Sequence, residues 1–576
     1  MKERIQELQA EIATLPIGYI SRKNIRGKIQ QYYQWTEDGR KKSKYLDDAT
    51  ATELALAIEK RRKLEKELKE LAKLKKTNHF KTNVLVGDAL KKFIEPVKEL
   101  KHRDCYNDLA KFLEHDYSGK VLILYGLRRT GKTTLIRQAI ASFPEKSVFM
   151  QVGYGMTLAD VNIDLKLCSE LGYRNIFIDE ITLAEDFIEG AALLSDIYAA
   201  SGMKIVLSGT DSLGFLFSKS EELYDRCIML HTTWISYREF ERVLGVTGID
   251  EYIRFGGTMS LSGNHYNPTF NSKESTDEYI DSAIAKNIQH SLKSYQDGGH
   301  FRHLSELFDK NELSSAINRV VEDINHRFTI DVLTKDFVSN DLGISKRNLR
   351  KDREKPTDIL DKIDQKAFNY GLRKALEILN KKEQTVRITE AHRVEIKEYL
   401  DLLDLTVDIP TEFIPVKNER LFRTAIAQPG MRYAQAEALL HQLLLDEEFQ
   451  NISAIDRAWV FDRILNEIRG RMMEDIILLE TKMAYPQKNV FRLQFAIGEF
   501  DMVVADPIEI NCEIYEIKHS SEQVATQYKN LIDQEKCSAT EFRYGPIKRK
   551  AVIYRGENTR NDDIEYLNVE DYLTSL

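Results

Sequence analysis

The pattern of apolar and polar positions divides the chain into segments of different type. Apolar residues recur at helical spacing within residues 5–15 and again within residues 54–71, where the sequence is rich in Lys and Glu. The stretch between them has β-type residues with turn signals at residues 24–27 and 37–39. This pattern predicts a helix, a three-stranded meander and a second, charged helix, with the two helices packed together.

Further along, short apolar runs alternate with helical stretches. The runs are Val121 to Tyr125, Ser147 to Val152, Asn175 to Ile178 and Lys204 to Leu207. This alternation of strand-like and helical segments predicts a parallel sheet flanked by helices. Residues 260–415 are polar, helical and poor in strands, and strands return at about residue 490. The predicted fold class is therefore multidomain α/β, with a parallel-sheet core, a helical middle and a C-terminal α/β domain.

Composition narrows the class of protein. At 576 residues the chain is long enough for several domains of roughly 150 residues each, and 42% hydrophobic with 30% charged residues suits a folded, globular chain. A charged start and the lack of a long apolar stretch predict neither export nor a membrane span. Five cysteines without a CxxC pair give no recognisable zinc motif and favour the cytoplasm. A net charge of −8 excludes a globally basic nucleic-acid binder but leaves local basic patches open.

The sequence YGLRRTGKTTL, which begins at Tyr125, fits the phosphate-loop pattern G-x-x-x-x-G-K-[ST]. A strand precedes the motif and a helical stretch follows it, so backbone N–H groups and the positive helix end converge on phosphate oxygens. Lys132 is expected to reach the β and γ phosphates of ATP, and the Thr133 hydroxyl to ligate Mg²⁺. The loop residues expected to hold the nucleotide are Gly126, Arg129, Gly131, Lys132, Thr133 and Thr134.

Two later strand ends supply partners for this loop. NIFIDEI ends in Asp179, expected to hold the Mg²⁺ shell, and Glu180, expected to orient or deprotonate the attacking water. The strand of MKIVLSGTDSL ends in small hydroxyl residues, and either Ser208 or Thr210 is expected to contact the water or the γ phosphate. Glu180 beside Asp179 therefore favours hydrolysis over simple nucleotide binding.

A charge-stabilising arginine is also expected in such a site. Arg226 is the first choice for this role, while Arg128 and Arg129 inside the loop compete with it. An ordinary surface arginine is the alternative interpretation of Arg226.

A second group of chemically competent residues lies near the C-terminus. Asp501 falls on one predicted strand, and Glu516 and Lys518 fall on the next, in the spacing D-x14-E-I-K. Strand alternation places Glu516 and Lys518 on one face. Two carboxylates on adjoining strands can share Mg²⁺ or Mn²⁺, and a neighbouring lysine can polarise the attacking water or steady a phosphate. The alternative is a domain that keeps these groups as salt bridges and cleaves nothing.

Two further segments are candidates for nucleic-acid contact, with DNA favoured over RNA. Residues 19–45 interleave basic and aromatic side chains, which suit phosphates and bases. Residues 338–352 have the pattern of a helix-turn-helix with a basic second helix. The alternatives are a small aromatic core with solvated lysines in the first segment and a packing module in the second.

The series GLRRTGKTT, IFIDEI, IVLSGTDS, YREF and YIRFGGT resembles the AAA-type ATPases of bacteria and archaea that join a phosphate-loop domain and a winged helix to a C-terminal PD-(D/E)xK nuclease-like domain. By this resemblance Glu474 matches the acidic position on the first nuclease helix, Asp501 the hairpin carboxylate, and Glu516 with Lys518 the E-x-K pair. Phe500 stands where the motif has proline, and Gln523 with Gln527 does not form the QxxxY motif of one branch. The resemblance leaves a homo-oligomer open.

Together these patterns predict an order of modules. They are a basic arm at 1–82, an AAA-type core at 83–260, a helical lid at 261–330, a winged-helix-like part at 331–415, a helical connector at 416–470 and the nuclease-like domain at 471–576. The expected activity is Mg²⁺-dependent ATP hydrolysis coupled to nucleic-acid cleavage. The alternative is an ATP-driven switch or scaffold with an inactive nuclease-like domain, against which the presence of both Glu516 and Lys518 speaks.

Overall fold

The computed structural model describes most of the chain, in two compact units, Met1–Lys81 and Thr82–Leu576. The described residues are 8, 10–25, 28–37, 40–77, 80–117, 119–184, 186–220, 222–262, 265–285, 288, 292, 301–332, 387–417, 421–445, 450, 453–561 and 563–576. Within these residues, no helix combines the length and the apolar character that crossing a membrane requires.

The first unit is an antiparallel meander with a long helix. Its elements are β1 (Tyr19–Ile25), β2 (Lys28–Glu37), β3 (Arg40–Leu46) and α1 (Asp48–Thr77), and the strands lie in the order β1-β2-β3. This confirms the predicted meander and the second helix. The helical backbone around Ile12 pairs with α1, because Arg61 Nη1 donates to Ile12 O at 2.9 Å and Lys60 lies 2.7 Å from Glu11.

The second unit begins with a six-stranded, mainly parallel sheet. Its strands are β4 (Asn83–Leu85), β5 (Val121–Tyr125), β6 (Ser147–Gln151), β7 (Asn175–Asp179), β8 (Lys204–Ser208) and β9 (Cys227–His231), in the order β4-β6-β7-β8-β5-β9. Only the β4–β6 pair is antiparallel, and the four predicted strands are confirmed as parallel. Apolar residues fill β5 because helices cover both of its faces.

Helices connect the strands of this sheet and follow the last of them. They are α2 (Gly87–Ile94), α3 (Tyr106–Glu114), α4 (Lys132–Ser142), α5 (Leu158–Glu170), α6 (Phe187–Gly190), α7 (Ser212–Ser220), α8 (Tyr237–Leu244) and α9 (Ile249–Phe255). Short 3₁₀ turns lie at Glu95–Val97 and Ile181–Leu183, and a π-helical turn at Leu194–Ala199.

A helical region follows, with a small hairpin of β10 (Leu261–Ser262) and β11 (His265–Tyr266) before it. Its helices are α10 (Lys273–Tyr279), α11 (Arg302–Asp309), α12 (Leu313–Asp331) and α13 (Glu390–Leu402), with a π-helical turn at Ile280–Ala285. The predicted helix-turn-helix at residues 338–352 lies outside the described residues.

The C-terminal part is an eight-stranded mixed sheet. Its strands are β12 (Thr406–Ile414), β13 (Leu421–Ile426), β14 (Asn489–Phe495), β15 (Glu499–Asp506), β16 (Asn511–Lys518), β17 (Ile547–Tyr554), β18 (Thr559–Asn561) and β19 (Ile564–Asn568), in the order β13-β12-β14-β15-β16-β17-β19-β18. Its helices are α14 (Pro429–Leu444), α15 (Ala454–Ala484), α16 (Gln534–Tyr544) and α17 (Val569–Ser575), with a 3₁₀ turn at Ala525–Tyr528. The return to strands near residue 490 is confirmed. The stretch before it, predicted to be helical, also contains β12 and β13, which extend the sheet because β12 pairs with β14 and β13 pairs with β12.

One apolar core joins α8 and α9 to the C-terminal elements of the second unit. It contains Tyr237 and Ile253 from α8 and α9 together with Met473 from α15 and Tyr515 from β16. The core is continuous, so α8 and α9 form the surface against which the C-terminal elements pack.

A buried carboxylate lies at this junction. Glu480 Oε1, on α15, accepts the backbone N–H of Tyr237 at 2.7 Å and the hydroxyl of Tyr252 at 3.0 Å. Burial raises the pKa of Glu480 from 4.5 to about 7, although these two donors oppose the rise. The folded protein therefore retains a proton that the unfolded chain releases.

This arrangement predicts a pH-dependent stability. The pKa of Glu480 is higher in the folded than in the unfolded protein. Its contribution to the free energy of unfolding is therefore fully present below pH 4.5 and is lost as pH rises through about 7. Glu480→Gln keeps an acceptor oxygen and cannot ionise, so we expect it to gain stability relative to wild type as pH rises from 5 to 8. The gain is a few kcal/mol at most, at about 1.4 kcal/mol per pKa unit.

Urea unfolding of both proteins at pH 5 and pH 8 measures this difference. Glu535→Gln, which changes an exposed glutamate, is the control. An identical pH dependence of stability in wild type and Glu480→Gln would contradict the assignment.

Candidate functional site

The phosphate loop joins β5 to α4 in a conformation that its glycines permit. Gly126 and Gly131 have φ of 139° and 90°, in the region that favours glycine. A Cβ on Gly126 would lie 2.3 Å from the carbonyl oxygen of Thr232, and one on Gly131 would lie 2.8 Å from Met259 Sδ. The loop therefore tolerates no side chain at either position without rearrangement.

Lys132 points back into this loop. Its Nζ donates to the carbonyl oxygens of Gly126 and Leu127, each at 2.7 Å. Burial lowers the pKa of Lys132 to about 8, although Glu180 and Asp179 oppose the decrease. A buried ammonium held mainly by neutral carbonyls is well suited to bind an incoming phosphate.

Three consecutive carbonyls of the loop accept hydrogen bonds from other parts of the chain. Tyr279 Oη donates to Arg128 O at 3.0 Å, the backbone N–H of Met259 to Arg129 O at 2.6 Å, and Arg103 Nη1 to Thr130 O at 2.7 Å. Neither Arg103 nor Tyr279 is predicted from the sequence to contact the loop. No local motif marks either residue, since both reach the loop through the fold.

The loop threonines and the carboxylates of β7 come together. Thr133 Oγ1 donates to Asp179 Oδ2 at 3.1 Å, while Thr134 is half-buried in the first turn of α4. Glu180 follows Asp179 in the left-handed region, with φ of 57°, and its backbone N–H donates to Asp179 Oδ1 at 3.1 Å. Hydroxyl and carboxylate oxygens are the ligands that Mg²⁺ prefers, so this pair suits the metal of a nucleotide complex.

The two hydroxyl residues after β8 contact different carboxylates. Ser208 Oγ donates to Asp179 Oδ1, and Thr210 Oγ1 donates to Glu180 Oε2 at 3.2 Å. Burial raises the pKa of Glu180, and the Asp179 carboxylate raises it further, while Lys132 and Arg128 oppose the rise. A carboxylate with a raised pKa beside a metal-type pair is chemically suited to act as a base.

Arg226 is not brought to this loop within its own chain. It precedes β9, whose parallel alignment with β5 places Arg226 at the sheet edge opposite the phosphate loop. Arg226 Nε lies 2.8 Å from Asp196, and Nη1 donates to the carbonyl oxygen of Glu222 at 2.9 Å. Arg128 and Arg129 are exposed and lie in the loop itself. Within its own chain Arg226 therefore lies away from the loop, and the choice among Arg226, Arg128 and Arg129 as the charge-stabilising arginine stays a prediction.

A second polar site lies where β15 and β16 run side by side. Asp501 Oδ2 accepts the backbone N–H of Ile517 at 2.8 Å and Lys518 Nζ at 2.9 Å. Lys518 Nζ also lies 2.7 Å from Glu516 Oε2. Both carboxylates are almost fully buried, whereas the Lys518 side chain is 33% exposed, so solvent reaches the group from the lysine side.

Burial and the lysine set the protonation of this site. Burial favours a higher pKa for Asp501, but Lys518 and the Ile517 N–H lower it to about 2. Burial raises the pKa of Glu516 to about 8, although Lys518 opposes the rise. The raised pKa of Glu516 therefore favours its protonated form near neutral pH, while Asp501 stays ionised beside Lys518.

Neighbouring residues extend the site. Asn530 Nδ2 donates to Glu516 Oε1 at 3.0 Å, and Glu499 Oε2 accepts from Arg492 Nη2 at 2.8 Å. Burial raises the pKa of Glu499, and the Asp501 and Glu474 carboxylates raise it further, although Arg492 opposes the rise. Strand alternation could have indicated Glu499, two residues before Asp501, but no pattern marks Asn530.

Glu474 is neutralised by arginines. Its Oε2 accepts from Arg423 Nη1 at 3.2 Å and from Arg471 Nη1 at 2.8 Å. The charge of Glu474, on α15, is thus already compensated by these two arginines.

The two sites belong to one compact unit. His519, which follows Lys518, lies 2.9 Å from Asp250 on α9, and Arg555 lies 2.7 Å from the same carboxylate. The His519 hydrogen bond is the main reason why the pKa of Asp250 is lowered. The second site therefore contacts a helix of the phosphate-loop region.

Comparison with known proteins adds a family for part of the chain. Residues 1–55 match the model described as a domain of unknown function (DUF6788), and no curated protein matches the chain. Among solved structures, the chain resembles the Orc1 protein of Aeropyrum pernix in complex with DNA, at 13% identity and a TM-score of 0.21, over 61% of this chain and 96% of that one. Residues 118–241 match the model described as an AAA domain, so the chain contains an AAA-type phosphate-loop ATPase domain.

Proposed function

We propose that this protein is a Mg²⁺-dependent ATPase coupled to a PD-(D/E)xK nuclease domain that cleaves nucleic acid, with DNA favoured over RNA. The observation that carries the nuclease part is the convergence of Asp501, Glu516 and Lys518, with separations of 2.7 and 2.9 Å between the lysine and the two carboxylates. In this proposal the domain order is that predicted from the sequence, with a winged helix in the middle. The proposed biological role is DNA processing or genome defence.

The roles in the ATP site follow from the contacts of the loop. Lys132 binds the β and γ phosphates, Thr133 and Asp179 hold Mg²⁺, and Ser208 orients Asp179. Glu180 accepts a proton from the attacking water, since its raised pKa brings it nearer to the working pH of a base.

The roles in the nuclease site follow from charge and position. Asp501 and Glu516 would supply the hard oxygen ligands that Mg²⁺ or Mn²⁺ requires, and the ion would supply the charge that polarises the attacking water or the phosphate. Lys518 would steady the scissile phosphate or polarise the attacking water, since it is the cation that lies between the two carboxylates. Glu474 acts as a positioning residue, because Arg423 and Arg471 already pair with it.

A second candidate function is an ATP-driven switch or scaffold in which this domain cleaves nothing. The observation that favours it is the completeness of the ion pairs, since Lys518 pairs with both carboxylates and Glu474 with two arginines. Incubation with labelled single- and double-stranded DNA and RNA, with Mg²⁺ or Mn²⁺ and with or without ATP, separates the two functions.

The ATPase part predicts different effects for two loop partners. Lys132→Ala should abolish nucleotide binding, because the buried ammonium that meets the phosphates is lost. Glu180→Gln should keep ATP bound and slow its hydrolysis by about 10²-fold or more, since only the base is lost. Fluorescent-nucleotide binding and phosphate release measure both effects.

The exposed Glu145, before β6 at the opposite sheet edge, provides the matched control Glu145→Gln. Hydrolysis by Glu180→Gln at the wild-type rate would exclude the proposed role of Glu180.

The nuclease part predicts that Glu516→Ala eliminates cleavage while ATP hydrolysis stays near the wild-type rate, because the ATP site has its own carboxylates. Gel assays on labelled nucleic acids, alongside phosphate release, measure the two activities. Glu509→Gln, at an exposed turn between β15 and β16, is the control. Equal cleavage by wild type and Glu516→Ala would identify the activity as contamination.

The basic arm predicts a change in salt dependence. Lys41, Lys42 and Lys44 are all exposed on β3, and Lys42 and Lys44 lie opposite Trp35 and Tyr33, whose rings stack at 4.7 Å. Replacing the three lysines with glutamine should weaken nucleic-acid binding and reduce the slope of log K against log salt. We expect about 0.7 to 0.9 less slope for each lost phosphate contact.

Binding isotherms at several salt concentrations measure this slope. The control replaces three exposed cations of α1, Arg62, Lys63 and Lys66. A slope unchanged by the β3 replacements would assign those lysines to a solvated face. Within the candidate segment 19–45, the basic residue Arg26 lies outside the described residues.

A further inference from the structure

A group of metal-ligating side chains lies in the helical region, apart from both candidate sites. His303 and Glu306 lie one turn apart on α11, and His392 comes from α13. Their ligand atoms all lie within 4.8 Å of one another. Two helices far apart in sequence thus bring two imidazoles and one carboxylate to one point.

We propose that His303, Glu306 and His392 bind one divalent cation of the zinc class, which links α11 to α13. Imidazole nitrogens with one carboxylate and a water molecule are a common ligand set for Zn²⁺, whereas Mg²⁺ prefers oxygen ligands alone. Ligands at 2.0–2.1 Å from one ion lie within about 4 Å of one another. Small side-chain rotations are therefore sufficient to close the set.

The burial of the three side chains suits such a closure. His392 is buried, with 6% exposure, so it provides a fixed ligand. His303 and Glu306 are 39% and 43% exposed, so they can rotate towards an ion that enters from solvent. The His303 and His392 rings already meet edge to face, with centroids 5.6 Å apart.

The present partners of Glu306 leave its carboxylate available. Glu306 lies 3.5 Å from Arg302 and 3.7 Å from His303, both long for an ion pair, and the Arg302 side chain is 75% exposed. By contrast, the Lys518–Glu516 pair of the second site is 2.7 Å long. An ion at the proposed site therefore competes only with weak, solvent-screened contacts of Glu306.

Binding has one identifiable cost, at the start of α13. His392 Nδ1 accepts the backbone N–H of Thr389 at 3.1 Å, as part of the capping box of this helix. A metal on Nδ1 takes the lone pair that accepts this bond, and a metal on Nε2 moves the imidazole proton to Nδ1. In either case the Thr389 bond is lost, so cation binding exchanges one cap hydrogen bond for a link between two helices.

The test is a Zn²⁺ titration of the full chain after removal of metals, with competition against a chromophoric chelator. We expect one saturable site, with affinity at least about tenfold weaker in His303→Ala and in Glu306→Gln, since each loses a ligand. His303 is exposed, so its replacement should leave folding unchanged. Zn²⁺ should also raise the unfolding temperature of wild type, by linkage, more than that of His303→Ala.

Two controls separate this site from other zinc binders. His441→Ala removes an exposed histidine of α14, and Glu509→Gln removes an exposed carboxylate outside the cluster, and both should bind Zn²⁺ as wild type does. Equal affinity and stoichiometry in wild type, His303→Ala and His392→Gln would overturn the proposal. So would the absence of saturable Zn²⁺ binding by wild type.

Discussion

The buried ion pair between Arg103 and Glu239 connects the phosphate loop to the helix on which the C-terminal elements rest. The guanidinium of Arg103 donates to Thr130 O at 2.7 Å, to Trp234 O at 3.0 Å and to Glu239 at 2.6 Å. Glu239 also accepts the backbone N–H of Asp104 at 2.9 Å. Because both charges are almost fully buried and hydrogen-bonded, removal of one partner would leave an uncompensated charge, at a cost of about 3–5 kcal/mol. The loop conformation and the position of α8 therefore depend on the same two side chains.

The lysines of the two candidate sites lie in opposite electrostatic surroundings. Lys132 meets neutral carbonyls, so burial outweighs its acceptors and lowers its pKa to about 8. Lys518 meets Asp501 and Glu516, whose charges outweigh burial and raise its pKa well above the ordinary value. The first lysine therefore lacks an anionic partner that a polyphosphate can supply, whereas the second lysine already has two. The two lysines thus differ in the charge that a ligand must bring to each site.

Sequence patterns predicted the features that depend on neighbouring residues. The parallel strands that end at Asp179 and Ser208 are short apolar runs followed by polar residues, and the sequence shows this pattern directly. The donors to the loop carbonyls, Arg103 and Tyr279, come from distant segments and carry no periodic signal. Arg226 illustrates the converse, because its local sequence suits a catalytic arginine while the parallel register places it at the opposite sheet edge. Long-range register, unlike local pattern, cannot be read from a single sequence.

The contacts of α8 and α9 connect the phosphate-loop region to the elements that carry the second site. Glu480 of α15 holds the first N–H of α8, and His519, next to Lys518, holds Asp250 of α9. If α8 moved without α15, the Tyr237 N–H would lose its acceptor while Glu480 kept the Tyr252 hydroxyl, at a cost of about 1–3 kcal/mol for an unsatisfied buried group. Joint movement of the helices avoids that cost. These contacts therefore favour movement of α8 and α15 together over movement of either helix alone.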